Sequence, residues 1–140
     1  MNNSEAEDKL LHALIDELII HIDMLKKSPD DAQMTELLSK RFVRFGQILN
    51  TAAYTELSEL AGDINNFFCK AYNHSAYATQ KILRAALSFL ALVRKAVMFS
   101  DMPDFKETAG AMVLDLREAL QELSKNTGIE KIKLPDVKEV

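Results

Sequence analysis

The chain holds a single cysteine, Cys69, which excludes an intrachain disulfide framework and any zinc site built on thiolates. A reducing compartment is the natural setting for such a chain. Glycine and proline are nearly as scarce, four and three in 140 residues. They are expected at helix ends or corners, which leaves long stretches free for uninterrupted helix. No two glycines lie within one helical turn of sequence, so a phosphate-cradling loop is absent and a nucleotide enzyme is unsupported. An excess of basic charge is also missing: the formal charge is −4 and the pI near 5.4. With no basic-plus-aromatic pattern for base stacking, nucleic acid is not an expected partner. The most apolar run, Ile82 to Val93, contains Arg84 and is followed by Arg94-Lys95, well short of the roughly 18 apolar residues of a spanning helix. The acidic, polar start from Met1 to Asp8 is the opposite of a signal peptide. These features predict a cytoplasmic protein without a membrane span.

What is present reads as helix. Hydrophobic residues make up 48% and charged residues 27%, ordinary globular values, and the length suits one core. Residues 1–128 are expected to form a single domain, with 129–140 as a docking tail or linker. Leu10, Leu11, Leu14, Leu18, Ile22 and Leu25 recur at spacings of three and four, predicting a first helix from Ser4, with Glu7 completing a capping box, to Lys27. Ile15, Ile19 and Ile20 widen its apolar stripe, enough for two neighbouring helices or for association. Ser28-Pro29-Asp30-Asp31 predicts a second start, with Ser28 as cap and Pro29 in the first turn. That helix carries Met34, Leu37, Leu38, Phe42, Phe45 and Leu49 to a corner at Asn50-Thr51. A third, beginning between Thr51 and Tyr54, presents Leu57, Leu60, Ala61, Ile64, Phe67, Phe68 and Ala71. The fourth, capped by Thr79, presents Ile82, Leu83, Ala86, Leu87, Leu90, Val93 and Val97 and should be largely enclosed. The fifth, capped by Asp104 with Glu107, presents Phe105, Ala109, Met112, Val113, Leu116, Leu120 and Leu123 and stops at Gly128. Five helices with short connections imply an all-α, antiparallel up-down four-helix bundle with one additional helix.

Few residues invite chemistry. His12 and Asp16, and Glu17 and His21, are each four apart on the first helix, but no Glu-x-x-His occurs, so the ligand pattern of di-iron bundles is missing. They read as exposed helix pairs, and no metal or cofactor is expected. Cys69 has no histidine at helical spacing to lower its pKa and reads as core or boundary packing. The six methionines are dispersed and read as core filler. Lys40, Arg41 and Arg44 form a small basic cluster on the second helix.

Residues 37 to 61 carry the most specific pattern. The Lys-Lys-Ser-Pro-Asp-Asp entry into the second helix, Glu36-Leu37-Leu38 leading to Phe42 and Phe45, the run Tyr54-Thr55-Glu56-Leu57-Ser58-Glu59-Leu60-Ala61, and a leucine-rich fourth helix after Thr79 resemble histidine-containing phosphotransfer (HPt) domains. The likeness is to the N-terminal domain of the chemotaxis kinases and covers residues 9 to about 124. In that family the second helix carries His-x-x-Lys-Gly: an exposed imidazole takes the phosphoryl group, lysine supplies charge and glycine lets a receiver domain approach. Anchored on Tyr54 to Ala61, the histidine position falls at Val43, the lysine position at Gly46 and the glycine position at Gln47. A slip of one residue puts Phe42 in place of the histidine. Valine has no nucleophile, so no phosphoryl relay, and no enzyme, is expected from this site.

The resemblance then implies a module that binds without chemistry in two-component or chemotaxis-type signalling. Its partner would be a receiver or histidine kinase domain, docked on Lys40, Arg41, Val43, Arg44 and Gln47. One alternative is a structural bundle that associates as a homodimer through surplus apolar positions of the first or fourth helix. Another is phosphotransfer through a non-standard histidine, His74 before His21 or His12.

Overall fold

Each stretch of three-four periodicity folds as one helix. The structure is a computed structural model that describes residues 2–52, 54–72, 76–99 and 105–127. Among these residues are five α-helices and no strand: α1 (Asn2–Lys27), α2 (Ala32–Thr51), α3 (Thr55–Ala71), α4 (Ala76–Met98) and α5 (Phe105–Thr127). Helix α1 touches α2 and α4, α3 touches α2 and α4, and α5 lies against α3 and α4. Leu11, Ile15, Leu18, Ile22 and Leu25 bring one stripe of α1 into the core. Leu10, one step off that stripe, and Ile20, on the opposite side of the helix, are exposed.

Helices α2 and α4 have no close backbone approach; their side chains meet across the centre instead. Phe42, Phe45 and Phe89 form a triangle with ring centroids 5.8 to 6.3 Å apart, two of the three pairs edge-on. Such geometry adds about 0.5–1.5 kcal/mol per pair to the area buried. As expected, α4 is largely enclosed, burying Ile82, Leu83, Ala86, Phe89, Leu90, Leu92, Val93, Ala96 and Val97.

The helix starts differ from expectation. Helix α1 begins two residues before Ser4. Helix α2 is capped not by Ser28 but by Asp31, whose carboxylate accepts from the Met34 N–H at 3.0 Å. Pro29 and Asp30 form a turn outside the helix, closed by the Asp31 N–H donating to the Ser28 carbonyl. Both residues can cap, and the carboxylate has the stronger interaction with the positive end of the helix. The next corner closes where the Tyr54 N–H donates to the Leu49 carbonyl at 2.8 Å, and α3 starts at Thr55. Thr79 is no cap: it is buried inside α4, which begins at Ala76. Alanine is the strongest helix former, and Ala76 and Ala78 extend the helix backwards. Gly46, Gly62 and Gly110 lie within α2, α3 and α5 rather than at their ends. Asp104, Gly128 and residues 129–140 lie outside the described residues, as do the side chains of Phe105, Glu107, Ala109 and Leu123.

Candidate functional site

At about 100° per residue, Lys40, Val43, Arg44 and Gln47 fall on one outward strip of α2, and all four are exposed. Val43 is 47% exposed. Gly46, between them, is turned in against α3. A Cβ on Gly46 would lie 3.4 Å from the Ala61 Cβ, and the Ser58 hydroxyl donates to the Gly46 carbonyl at 2.7 Å. This close approach leaves an open groove of about 250 Å³ beside it, walled by Val43, Gln47 and Asn50 on α2 and by Ser58, Gly62 and Asn65 on α3.

The three positions singled out by the resemblance therefore have different surroundings. Val43 is on the surface, where an acceptor side chain would need to be. Phe42, its alternative under a one-residue slip, is buried in the aromatic triangle. Gly46, at the lysine position, is buried, and a Cβ there would already touch Ala61 of α3. Gln47, at the glycine position, is exposed and places an amide where a bare backbone would otherwise be approached. Among the described residues that line the groove, the one hydroxyl, on Ser58, donates to Gly46. Val43 adds an apolar contact beside the amides of Gln47, Asn50 and Asn65.

The basic cluster does not act as a unit. Lys40 pairs with Glu36 one turn back at 3.2 Å, and both are highly exposed, so the pair contributes little. Arg41 points to the other flank of α2 and pairs with Glu17 of α1, which removes it from the strip. Arg44 remains exposed, with no ion pair among the described residues. Of the two histidines expected to form exposed pairs, His12 is drawn into a contact between helices. Arg94 of α4 reaches both Asp16 and His12, 3.3 Å from the His12 Nδ1. His21 Nδ1 is buried without a hydrogen-bond partner. His74 lies outside the described residues. No group of three or more His, Cys, Asp or Glu among the described residues could hold a metal ion, and none of their helices is long and apolar enough to cross a membrane.

A second open groove, about 510 Å³, lies at the far end of the α2–α3 face, lined by Thr35, Glu36, Ser39, Lys40, Cys69 and Tyr72 among others. Cys69 is exposed here rather than packed in the core. The Ser39 hydroxyl donates to Asn65 Oδ1 at 3.0 Å. Its only hydrogen is thereby used, which leaves the Cys69 thiol, 3.3 Å away, to donate to the Ser39 oxygen. The Tyr72 hydroxyl donates to the Pro29 carbonyl at 3.0 Å, and burial, with the Asp30 carboxylate, pushes its pKa above the ordinary phenol value.

One residue escaped the search for chemistry. Asp63 is buried in α3, and burial is the main force pushing its pKa from 3.8 up to about 6; Arg117 opposes the rise and Glu59 adds to it. The signal was available, since Asp63 lies three after Leu60 and four before Phe67, on the apolar stripe itself.

No protein-family model, curated protein or solved structure matches the chain significantly.

Proposed function

We propose that the chain is a non-catalytic, HPt-like interaction module that binds a receiver or histidine kinase domain through the α2–α3 face. The observation that carries this reading is Val43: exposed, midway along α2, beside a groove formed by the close approach of Gly46 to α3, and without a nucleophile. The helix contacts support the corresponding architecture, a four-helix bundle of α1 to α4 with α5 added on the α3–α4 side. Arg41 is withdrawn from the docking strip by Glu17. Lys40, Val43, Arg44 and Gln47 make the surface, with Arg44 as the cation available to an acidic pocket. An NMR titration with candidate receiver and kinase domains tests the proposal. Amide shifts centred on Lys40 to Gln47 support it, and their absence with every candidate overturns it.

The exposure of Ile20 and Met24, 58% and 49% and one turn apart on α1, favours a second reading, in which the module forms a homodimer through this apolar strip. Sedimentation that shows a monomer at high concentration would remove it.

A further inference from the structure

Among the described residues, helix α5 rests on α3 and α4, and its buried side chains are Val113 and Leu120, with Met112 and Leu116 partly buried. Arg117 shares this inner face. Its guanidinium reaches α3, with Nη2 3.6 Å from Glu59 Oε1 and Nε 3.8 Å from Asp63 Oδ2.

The contact is poorly satisfied. The Asp63 side chain is 2% exposed, yet its Oδ1 and the Arg117 Nε are both buried without a hydrogen-bond partner. At 3.8 Å the charges attract but do not bond. One guanidinium also faces two carboxylates. With Asp63 ionised, the cluster carries a net negative charge, with the Asp63 carboxylate enclosed and Glu59 and Arg117 at the solvent edge; with Asp63 neutral, Arg117 and Glu59 balance. Arg117 and Glu59 are the charged groups that act on Asp63 among the described residues.

We propose that Asp63, Arg117 and Glu59 form a proton-operated latch, in which a neutral Asp63 holds α5 against α3 and an ionised Asp63 loosens it. When α5 lifts away, Asp63 becomes hydrated and its affinity for a proton falls. Proton uptake therefore favours the docked helix, and proton loss favours release. The carboxyl is pushed by burial from 3.8 to about 6 in the docked state, and over that gap linkage raises the opening equilibrium of α5 by about a hundredfold in all. The α3 and α4 surfaces that α5 covers would be uncovered to the same extent.

Hydrogen exchange of the intact chain, converted to protection factors for residues 110–125 with residues 40–49 as internal reference, tests the latch. Between pH 4.5 and 7.5 the opening of α5 is expected to rise about 25-fold, with Asp63→Asn abolishing the rise. Glu59→Gln should move the midpoint to lower pH and Arg117→Gln to higher pH, a check that leaves Asp63 in place. Opening of α5 that ignores pH, a rise that persists in Asp63→Asn, or α5 opening no more readily than residues 40–49 across this pH range would each overturn the latch.

Discussion

The Ser58 hydroxyl of α3 donates to the Gly46 carbonyl of α2 at 2.7 Å, at the point where α2 comes so close that a Cβ on Gly46 would just touch that of Ala61. Gly46, Ser58 and Ala61 line the groove together with Val43.

Gly46→Ala should therefore be tolerated. The new methyl is at the limit of ordinary contact, while the helix gains up to about 1 kcal/mol of backbone propensity. Gly46→Leu should cost about 1–3 kcal/mol by overpacking, and Ser58→Ala about 1 kcal/mol for the lost hydrogen bond. Urea unfolding of the three variants checks the order.

Only Arg44 separates Val43 from Phe45, but substitutions at the two should differ greatly in consequence. Phe45 is wholly buried in the aromatic triangle, and Phe45→Ala should destabilise by about 3–5 kcal/mol. Val43→Ala should stay within about 0.5 kcal/mol, as exposed substitutions do. If the α2–α3 face docks a partner, Val43→Asp should weaken that binding while leaving the urea midpoint unchanged.

Charge reversal distinguishes the two flanks of α2. Arg44→Glu should slow association with an acidic receiver and reduce its salt dependence. Arg41→Glu should leave binding unchanged, because Arg41 faces Glu17. Isothermal titration at two salt concentrations reads the difference.

Global stability should carry the sign of Asp63. Its folded-state pKa is raised, from 3.8 to about 6, so the folded protein binds this proton more tightly than the unfolded chain. The resulting stability is complete below pH 3.8 and is lost as pH rises through about 6. Relative to wild type, Asp63→Asn should gain about 2 kcal/mol between pH 4 and 7.5, measured as urea midpoints at the two pH values.

The residues buried on α1 and α2 were legible because a packed helix repeats every three or four residues, and Leu18, Ile22, Leu25, Phe42, Phe45 and Leu49 lie where that period puts them. Leu10 and Leu37 were misplaced because they border the stripe, and a border residue can fall on either side. The start of α2 was missed because Ser28 and Asp31 are both competent caps and the choice depends on how the turn closes. Local sequence could not join Arg41 to Glu17, Arg94 to Asp16, or Arg117 to Asp63. Each pair links separate helices, and only the packing angle decides which cation reaches which acid. That residue 43 is a valine, with no nucleophile, was legible, but its exposure and the burial of Gly46 were not.

Cys69 gives the molecule a built-in reporter. As the one thiol of the chain, exposed on α3 and hydrogen-bonded to Ser39 of α2, it allows a maleimide dye to be attached at a single defined place without mutagenesis. Its emission would register any arrival at the neighbouring groove, and any parting of the two helices, in the unmodified sequence.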